Sequence, residues 1–325
     1  MDSSKIAGAV VIGRNEGARL ERCLASLRGQ FHAIVYVDSG STDNSIVAAQ
    51  AAGAYVINLD MGKPFTAARA RNAGFKHLLH NHNIQFVQFI DGDCEMREGW
   101  LDAALSFLSQ NPVVAVACGR RRERHPDASV YNQLCDIEWN TPVGKAKACG
   151  GDALMRVEAL AAVSGFDPSL IAGEEPELCV RLRAKGWEIW RIDQEMTWHD
   201  ADISKFSQWW SRTKRAGFAY AEGAAMHGAL PERHWVKETI RALFWGIFTP
   251  LLTIGLTISV SSWFVFLLLA YPTQVAKIAV KNGEHNSPWL VAIFYTLAKF
   301  PEAAGVLKYW ANNLSQKKPE IIEYK

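Results

Sequence analysis

Between Ala242 and Tyr271 the chain has no charged residue. As a helix, such a run extends about 45 Å, longer than the roughly 30 Å hydrocarbon layer of a bilayer. A buried core helix of that length and uniformity is hard to build, so the run reads as membrane-embedded. Pro250, Ser259, Ser261 and Ser262 offer points where it folds back as a hairpin. Lys237 and Arg241 precede it, and Lys277 and Lys281 follow it, which favours both ends on the cytoplasmic face. The stretch 288–310 is also apolar, but Lys299, Pro301 and Glu302 interrupt it, so it reads as interfacial rather than spanning. No C-x-x-C pair occurs among the six cysteines. Their scatter argues against a zinc site or a disulfide framework and suits a reducing compartment. No sign of charge dominates: 35 Lys+Arg face 33 Asp+Glu, net +2, which leaves no basic stripe and excludes nucleic acid as the main partner. No secretory signal is legible, because the apolar run Ile6 to Ile12 lacks a basic flank and a cleavage site. No G-x-G-x-x-G follows that run, which weakens a dinucleotide reading.

What is present begins with alternation. Residues 6–12, 34–37, 55–59, 86–90, 113–118 and 187–192 read as strands rich in Val, Ile, Phe and Trp. Between them lie helical patterns over 18–27, 45–52, 65–79 and 100–108; in the first, Leu20, Cys23, Leu24 and Leu27 recur at helical spacing. Residues 153–163 and 178–185 also read as helices. Strands alternating with helices of about ten residues predict a parallel sheet with right-handed crossovers. The expectation is an α/β, Rossmann-like, mostly parallel sheet flanked by helices, with a membrane-embedded helical region after it. The predicted divisions are a catalytic domain over 1–220, an amphipathic connector over 221–241, and membrane-embedded and interfacial helices over 242–325. Twelve tryptophans, concentrated in the second half, fit an interface with lipid.

The strand Phe86–Ile90 ends in Asp91-Gly92-Asp93. In an open α/β sheet, ligands bind beyond the carboxyl ends of the strands, where these two carboxylates would project. Acids so close repel unless a cation lies between them, and a divalent metal is the usual partner. An Asp-Gly turn is the ordinary alternative for so short a motif. Asp38, at the end of the second strand, suits a hydrogen bond to a nucleotide base or ribose, whereas Thr42 and Asp43 read as helix-start residues. Arg69 and Arg71, near a helix start, have the reach for base or phosphate oxygens. The run Arg120-Arg121-Arg122-Glu123-Arg124-His125 reads as a solvated loop, with an anion contact as the alternative.

In order, the chain shows Asn15-Glu16, then D-S-G-S-T-D-N-S from Asp38, A-R-N-A-G from Ala70, Asp91-Gly92-Asp93, Gly150-Gly151-Asp152, and G-E-E-P-E-L-C-V-R-L-R-A-K-G-W from Gly173. Together these resemble the family 2 glycosyltransferases of the GT-A fold, over roughly residues 6–220. The resemblance implies roles at the matching positions. Glu16 and Asp38 would line the base pocket with Arg71 beside it. Asp91 would sit near the ribose and diphosphate and share the metal. Asp93 would bind Mn²⁺ or Mg²⁺, with His199 as a metal or diphosphate contact. Gly150, Gly151 and Asp152 would border the donor sugar. Glu175 stands where the family carries the Asp of G-E-D and would be the catalytic base, one methylene longer. A helix start would favour its charged form while burial and the charge of Glu174 oppose that, so it would stay ionised near neutral pH and still be able to accept a proton. Arg212 and Arg215 would neutralise the leaving diphosphate; Gln208-Trp209-Trp210-Ser211-Arg212 departs from the Q-x-x-R-W of processive synthases.

The implied activity is metal-dependent, inverting transfer from a UDP-, GDP- or dTDP-sugar to a lipid-linked or surface-glycan acceptor, at the cytoplasmic face of the inner membrane. A polyprenyl-phosphate glycosyltransferase and a non-catalytic nucleotide-sugar-binding subunit are the rivals, and the carboxylate Glu175 argues against both. A sugar nucleotidyltransferase would need a glycine-rich phosphate loop where the chain has Gly13-Arg14-Asn15-Glu16.

Overall fold

A computed structural model describes residues 6–283, 287–316 and 322. The chain divides into two compact units, Met1–Ser204 and Lys205–Lys325.

In the first unit the elements run β1 (Ala7–Gly13), α1 (Ala18–Leu27), β2 (Ala33–Asp38), α2 (Ser45–Ala51), β3 (Tyr55–Asn58), α3 (Ala67–Asn81) and β4 (Phe86–Asp91). There follow β5 (Cys94–Met96), α4 (Trp100–Gln110), β6 (Val114–Glu123), α5 (Val130–Glu138), β7 (Gly144–Ala146), β8 (Ala153–Arg156), α6 (Val157–Ala162), α7 (Glu174–Ala184) and β9 (Glu188–His199). They form one sheet in the order β3-β2-β1-β4-β8-β6-β9-β5, with β7 on β9. The helix α1 buries Leu20, Cys23, Leu24 and Leu27, the stripe its spacing predicts. Burying a leucine contributes roughly 1.5–3 kcal/mol.

The parallel expectation holds for β3, β2, β1 and β4. Beyond β4 the sheet is mixed, because β8 runs antiparallel to both β4 and β6. β8 also corrects the helix expected from Ala153. Its residues have helical propensity, but Ala153, Leu154 and Met155 are wholly buried between two strands, and tertiary context overrides the weak intrinsic preference. β6 continues through Glu123 rather than stopping at Cys118, so the basic run is strand as far as Glu123. The reason is Gly119: a Cβ there would lie 2.6 Å from the Gln194 carbonyl oxygen and from the Trp100 ring, so glycine lets β9 and α4 close onto the strand. α7 begins at Glu174, earlier than the expected Leu178. Gly173 supplies the left-handed residue before it (φ 77°), and Pro176 falls in the first turn, where its missing N–H leaves no helical bond unmade.

The A-R-N-A-G motif of α3 is packed from several sides. Asn72 accepts from the Phe166 N–H (2.9 Å) and donates to its carbonyl (2.7 Å). A Cβ on Gly74 would stand 2.5 Å from Val10 Cγ1, a stiff side chain in the core. Gly74→Ala is therefore expected to destabilise the first unit by about 1–3 kcal/mol, the usual cost of overpacking. An unchanged thermal midpoint would show that β1 has room to move.

The second unit holds α8 (Phe206–His227), α9 (Val236–Leu243), a π-helical turn over Phe244–Phe248, α10 (Thr249–Ser259), a 3₁₀ segment over Ser262–Leu269, α11 (Ala270–Lys281), α12 (Pro288–Leu297) and α13 (Lys299–Leu314). The boundary expected at 220 thus falls at 204, because α8 belongs with α13. Glycines let the two helices touch: a Cβ on Gly217 would lie 2.0 Å from the Glu302 carbonyl oxygen, and one on Gly305 2.1 Å from that of Lys214. Residues 221–241 form the end of α8 and most of α9 rather than a separate connector.

Three stretches are long and apolar enough to cross a membrane: Val236–Ser259, Ser262–Lys281 and Pro288–Leu314. The uncharged run breaks at Val260-Ser261, where Ser261 Oγ accepts from the Trp263 N–H. Pro250 does not break it, since it sits in the first turn of α10 after the π turn. The third stretch meets the length and composition of a span despite its charges, two of which pair: Lys299 Nζ lies 2.5 Å from Glu302, whose side chain is buried.

Candidate active site

β4 and β1 end side by side, and the turn after β4 is held by the Gly92 N–H donating to the Ile12 carbonyl (2.8 Å). A Cβ on Gly92 would lie 3.2 Å from that same oxygen, so a side chain at the middle of Asp91-Gly92-Asp93 would crowd the turn. The turn sends the two acids to different partners.

Asp93 enters the β5–β9 pairing, in which Cys94 opposes His199. Its Oδ2 lies 3.2 Å from His199 Nε2. Asp93, Cys94 and His199 present ligand atoms within 4.8 Å of one another. His199 Nδ1 is buried without a hydrogen-bond partner, and its ring stacks on Trp139 at 4.6 Å. Burial, with Asp152 and Asp93 adding to it, pushes the Cys94 thiol up, so it stays protonated and donates weakly to Asp93 Oδ1 at 3.7 Å. Asp93 and His199 are then the metal-competent pair. A carboxylate with one imidazole suits Mn²⁺ better than Mg²⁺, which prefers an all-oxygen shell.

Asp91 turns the other way. Its Oδ1 accepts from Arg71 at 2.7 Å, and its backbone N–H donates to Asp152 at 3.2 Å. Burial, opposed by Arg71 and reinforced by Asp152 and Asp93, raises its pKa. Among the described residues the ligand cluster of Asp93, Cys94 and His199 forms without Asp91. Arg71, expected beside the base pocket, is bonded within the protein. It is 3 % exposed, and its other terminal nitrogen bonds Glu174, so it clamps β4 to α7. Burial alone would lower its pKa, but Asp91, Glu174 and Glu175 outweigh that and raise it. Arg69 serves its own loop, donating to the carbonyls of Asp60, Lys63 and Pro64.

Asp152 is likewise engaged within the protein. It is fully buried, and its carboxylate takes the Asp91 N–H, the Thr197 hydroxyl (2.9 Å) and Arg121 Nε (3.1 Å). It joins β4, β6, β8 and β9. Gly150 and Gly151 lie against this cluster; a Cβ on Gly151 would stand 2.8 Å from an Arg71 nitrogen and 3.0 Å from Asp91 Oδ2.

Glu175 is the exception among these acids. Glu174 is buried on Arg71, whereas Glu175 accepts no hydrogen bond from another side chain among the described residues. Burial first, then the charge of Glu174, raises it to about 7 against the pull of Arg71 and Arg121. The like-charge effect read from the sequence is present, but desolvation is larger. At neutral pH the group is poised, not held ionised as the helix start predicts.

At the base-pocket end, Asp38 accepts from the Tyr36 hydroxyl (3.0 Å) and from the Gly40 and Ser41 N–H groups (2.9 Å each). Its carboxylate shapes the loop after β2. Asn15 and Asp43 tie that loop to the one after β1, through the Thr42 and Gly17 N–H groups. Glu16 pairs with Arg19 at 2.9 Å and packs against Gly92. Arg212 and Arg215 lie on α8, in the second unit.

Trp139 and Thr197 were not singled out by sequence reading, and Arg121 only as part of the basic run whose alternative reading was an anion contact. For Arg121 the signal existed in the strand alternation carrying on past Gly119; for Trp139, a helix-end aromatic, none did.

This mixed sheet, with its carboxylates at the ends of β4 and β9 and at the start of α7, is that of a GT-A glycosyltransferase. Residues 9–159 match the family described as Glycosyl transferase family 2. A pre-mycofactocin glycosyltransferase of Mycobacterium tuberculosis is 25% identical over 232 residues, 67% of this chain and 47% of that protein. The chain thus spans about half the length of that curated relative. Among solved structures, a mannosyltransferase from Pyrobaculum calidifontis in complex with GDP-Man and Mn²⁺ shares the fold at TM-score 0.65, with 17% identity over 94% of this chain and 86% of that one. Glucosyl-3-phosphoglycerate synthase from Mycobacterium tuberculosis does so at TM-score 0.50, with 18% identity over 70% and 81%.

Proposed function

We propose that this family 2 glycosyltransferase moves a sugar from a nucleoside diphosphate donor to an acceptor hydroxyl with inversion, and that Glu175 is the base. The carrying observation is Glu175 itself: a carboxylate raised to about 7, hydrogen-bonded by no other side chain among the described residues, beside Asp91, Asp152 and Glu174, which are all engaged. The acceptor oxygen attacks the anomeric carbon as Glu175 takes its proton. The new C–O bond forms while the bond to the diphosphate breaks, and the nucleoside diphosphate leaves. Asp93 and His199 would hold the divalent ion, which as a Lewis acid neutralises the leaving diphosphate. Arg71 fixes Asp91 and Glu174, and thereby the start of α7 that carries the base. Neighbours solved with GDP-Man and Mn²⁺ support the donor class and the metal. Hydrolysis of UDP-, GDP- and dTDP-sugars with Mn²⁺ tests the reading, since water then replaces the acceptor. Turnover of none of them would reject it.

We further infer that the helical unit attaches the enzyme to a membrane, with a lipid-linked or surface-glycan acceptor and the catalytic unit at the cytoplasmic face. Of the first two candidate spans, only 11% and 6% of the apolar window is buried within the protein, and Leu251, Ile258, Val260 and Trp263 stand exposed. Apolar surface of that extent marks a membrane or protein interface. The full chain is expected to sediment with membranes and to need detergent, and truncation after Ser204 to release a soluble unit. A full-length chain that stays in the high-speed supernatant would contradict the attachment.

A further inference from the structure

Four arginines follow one another on or just past the end of β6, broken only by Glu123, and all four have acidic partners, three of them apart from the site. Arg120 and Arg122 share Asp136 (3.1 and 3.2 Å), Arg122 also reaches Glu195 (3.2 Å), and Arg124 bonds Glu95. Successive residues of a strand point to opposite faces, so Arg121 is turned away from Asp136 and into the site. There it is only partly satisfied. Its Nε reaches Asp152 at 3.1 Å, but its Nη2 is buried with no hydrogen-bond partner. Buried donors in folded proteins are nearly always bonded, so an unpartnered guanidinium nitrogen at a site calls for an acceptor from outside the chain.

The surroundings narrow what that acceptor is. Cβ atoms on Gly150 and Gly151 would lie 3.5 and 3.6 Å from Nη2, so the two glycines leave the space beside it clear. The guanidinium also lies over the Trp139 ring at 5.5 Å from its centre, and that ring stacks on His199. Arg121 therefore stands between the Asp93–His199 pair and the start of α7. A planar guanidinium with free N–H groups is matched by the oxygens of a phosphate.

We propose that Arg121 holds a phosphoryl oxygen of the substrates. The proposal rests on the glycosyltransferase reading of the site. The same chemistry has two sources, the diphosphate of the donor or a phosphate carried by the acceptor, and binding measurements separate them. The full-length enzyme in detergent is titrated with UDP or GDP in the presence of Mn²⁺, and then, once loaded, with inorganic phosphate. Arg121→Gln is compared with Arg121→Lys, which keeps the charge but not the fork, and with Arg122→Gln, an outward neighbour. If the donor diphosphate is the ligand, Arg121→Gln weakens nucleoside diphosphate binding at least tenfold. If an acceptor phosphate is the ligand, nucleoside diphosphate binding is kept and phosphate binding to the loaded enzyme is lost. In either case Arg121→Lys retains part of the affinity and Arg122→Gln all of it. Wild-type affinity for both probes in Arg121→Gln would overturn the proposal. A misfolded Arg121→Gln leaves the test to Arg121→Lys, for which undiminished binding of both probes overturns it. Should the wild type bind no nucleoside diphosphate, the functional reading fails by itself, and inorganic pyrophosphate binding by the wild type but not by Arg121→Gln would still establish the anion site.

Discussion

Glu175→Gln is expected to lower kcat for donor hydrolysis about 10²–10⁴-fold, the usual loss when a general base is removed, while nucleoside diphosphate binding stays as in the wild type. The substitution keeps the size and removes only the ability to take a proton. No other side chain among the described residues hydrogen-bonds to Glu175, so the fold loses nothing with it. Its neighbour behaves differently. Glu174 is buried and bonded to Arg71, and the amide of Glu174→Gln leaves that arginine with one carboxylate in place of two. The expected result is a lower thermal midpoint. Because the charge of Glu174 raises Glu175, the pH at which hydrolysis falls off also moves down. If Glu174→Gln abolishes turnover at full stability and Glu175→Gln does not, the base is Glu174.

The second large effect is expected at Asp93. Asp93→Ala removes the carboxylate paired with His199 and is expected to abolish Mn²⁺-dependent hydrolysis, as is excess EDTA acting on the wild type. With the metal ligand gone, the charge of the leaving diphosphate is no longer neutralised at this end of the site. His199→Ala should show a smaller loss, partly restored by higher Mn²⁺, because one ligand of the pair survives. Full turnover in EDTA would remove the metal from the account.

Much of this was legible in the chain because it is local. The stripe of α1, the strand ending in Asp91-Gly92-Asp93 and the carboxylate at the start of α7 each announce themselves within a few residues. What was not legible depends on partners far away. Nothing in the A-R-N-A-G motif says that Glu174, 103 residues on, bonds Arg71. Nothing in Gly150-Gly151-Asp152 says that Thr197 and Arg121 bond the aspartate. The strand β8 has the composition of a helix and is extended because β4 and β6 leave it a slot. Gly119 reads as the end of a strand and is instead where another backbone passes close, which hid Arg121 in an apparent loop. The charges of Lys299 and Glu302 argued against a span because their pairing within α13 was not foreseen.

The account turns on Glu175 acting in its unprotonated form, so the decisive measurement is the pH dependence of donor hydrolysis by the wild type and by Glu175→Gln. A carboxylate raised to about 7 is a base only above that pH. The wild-type rate is therefore expected to fall about tenfold per pH unit below 7 and to level off above it, while the residual rate of Glu175→Gln shows no such limb. A wild-type profile flat from pH 5 to about 8, or a variant that keeps the same inflection, would contradict the assignment.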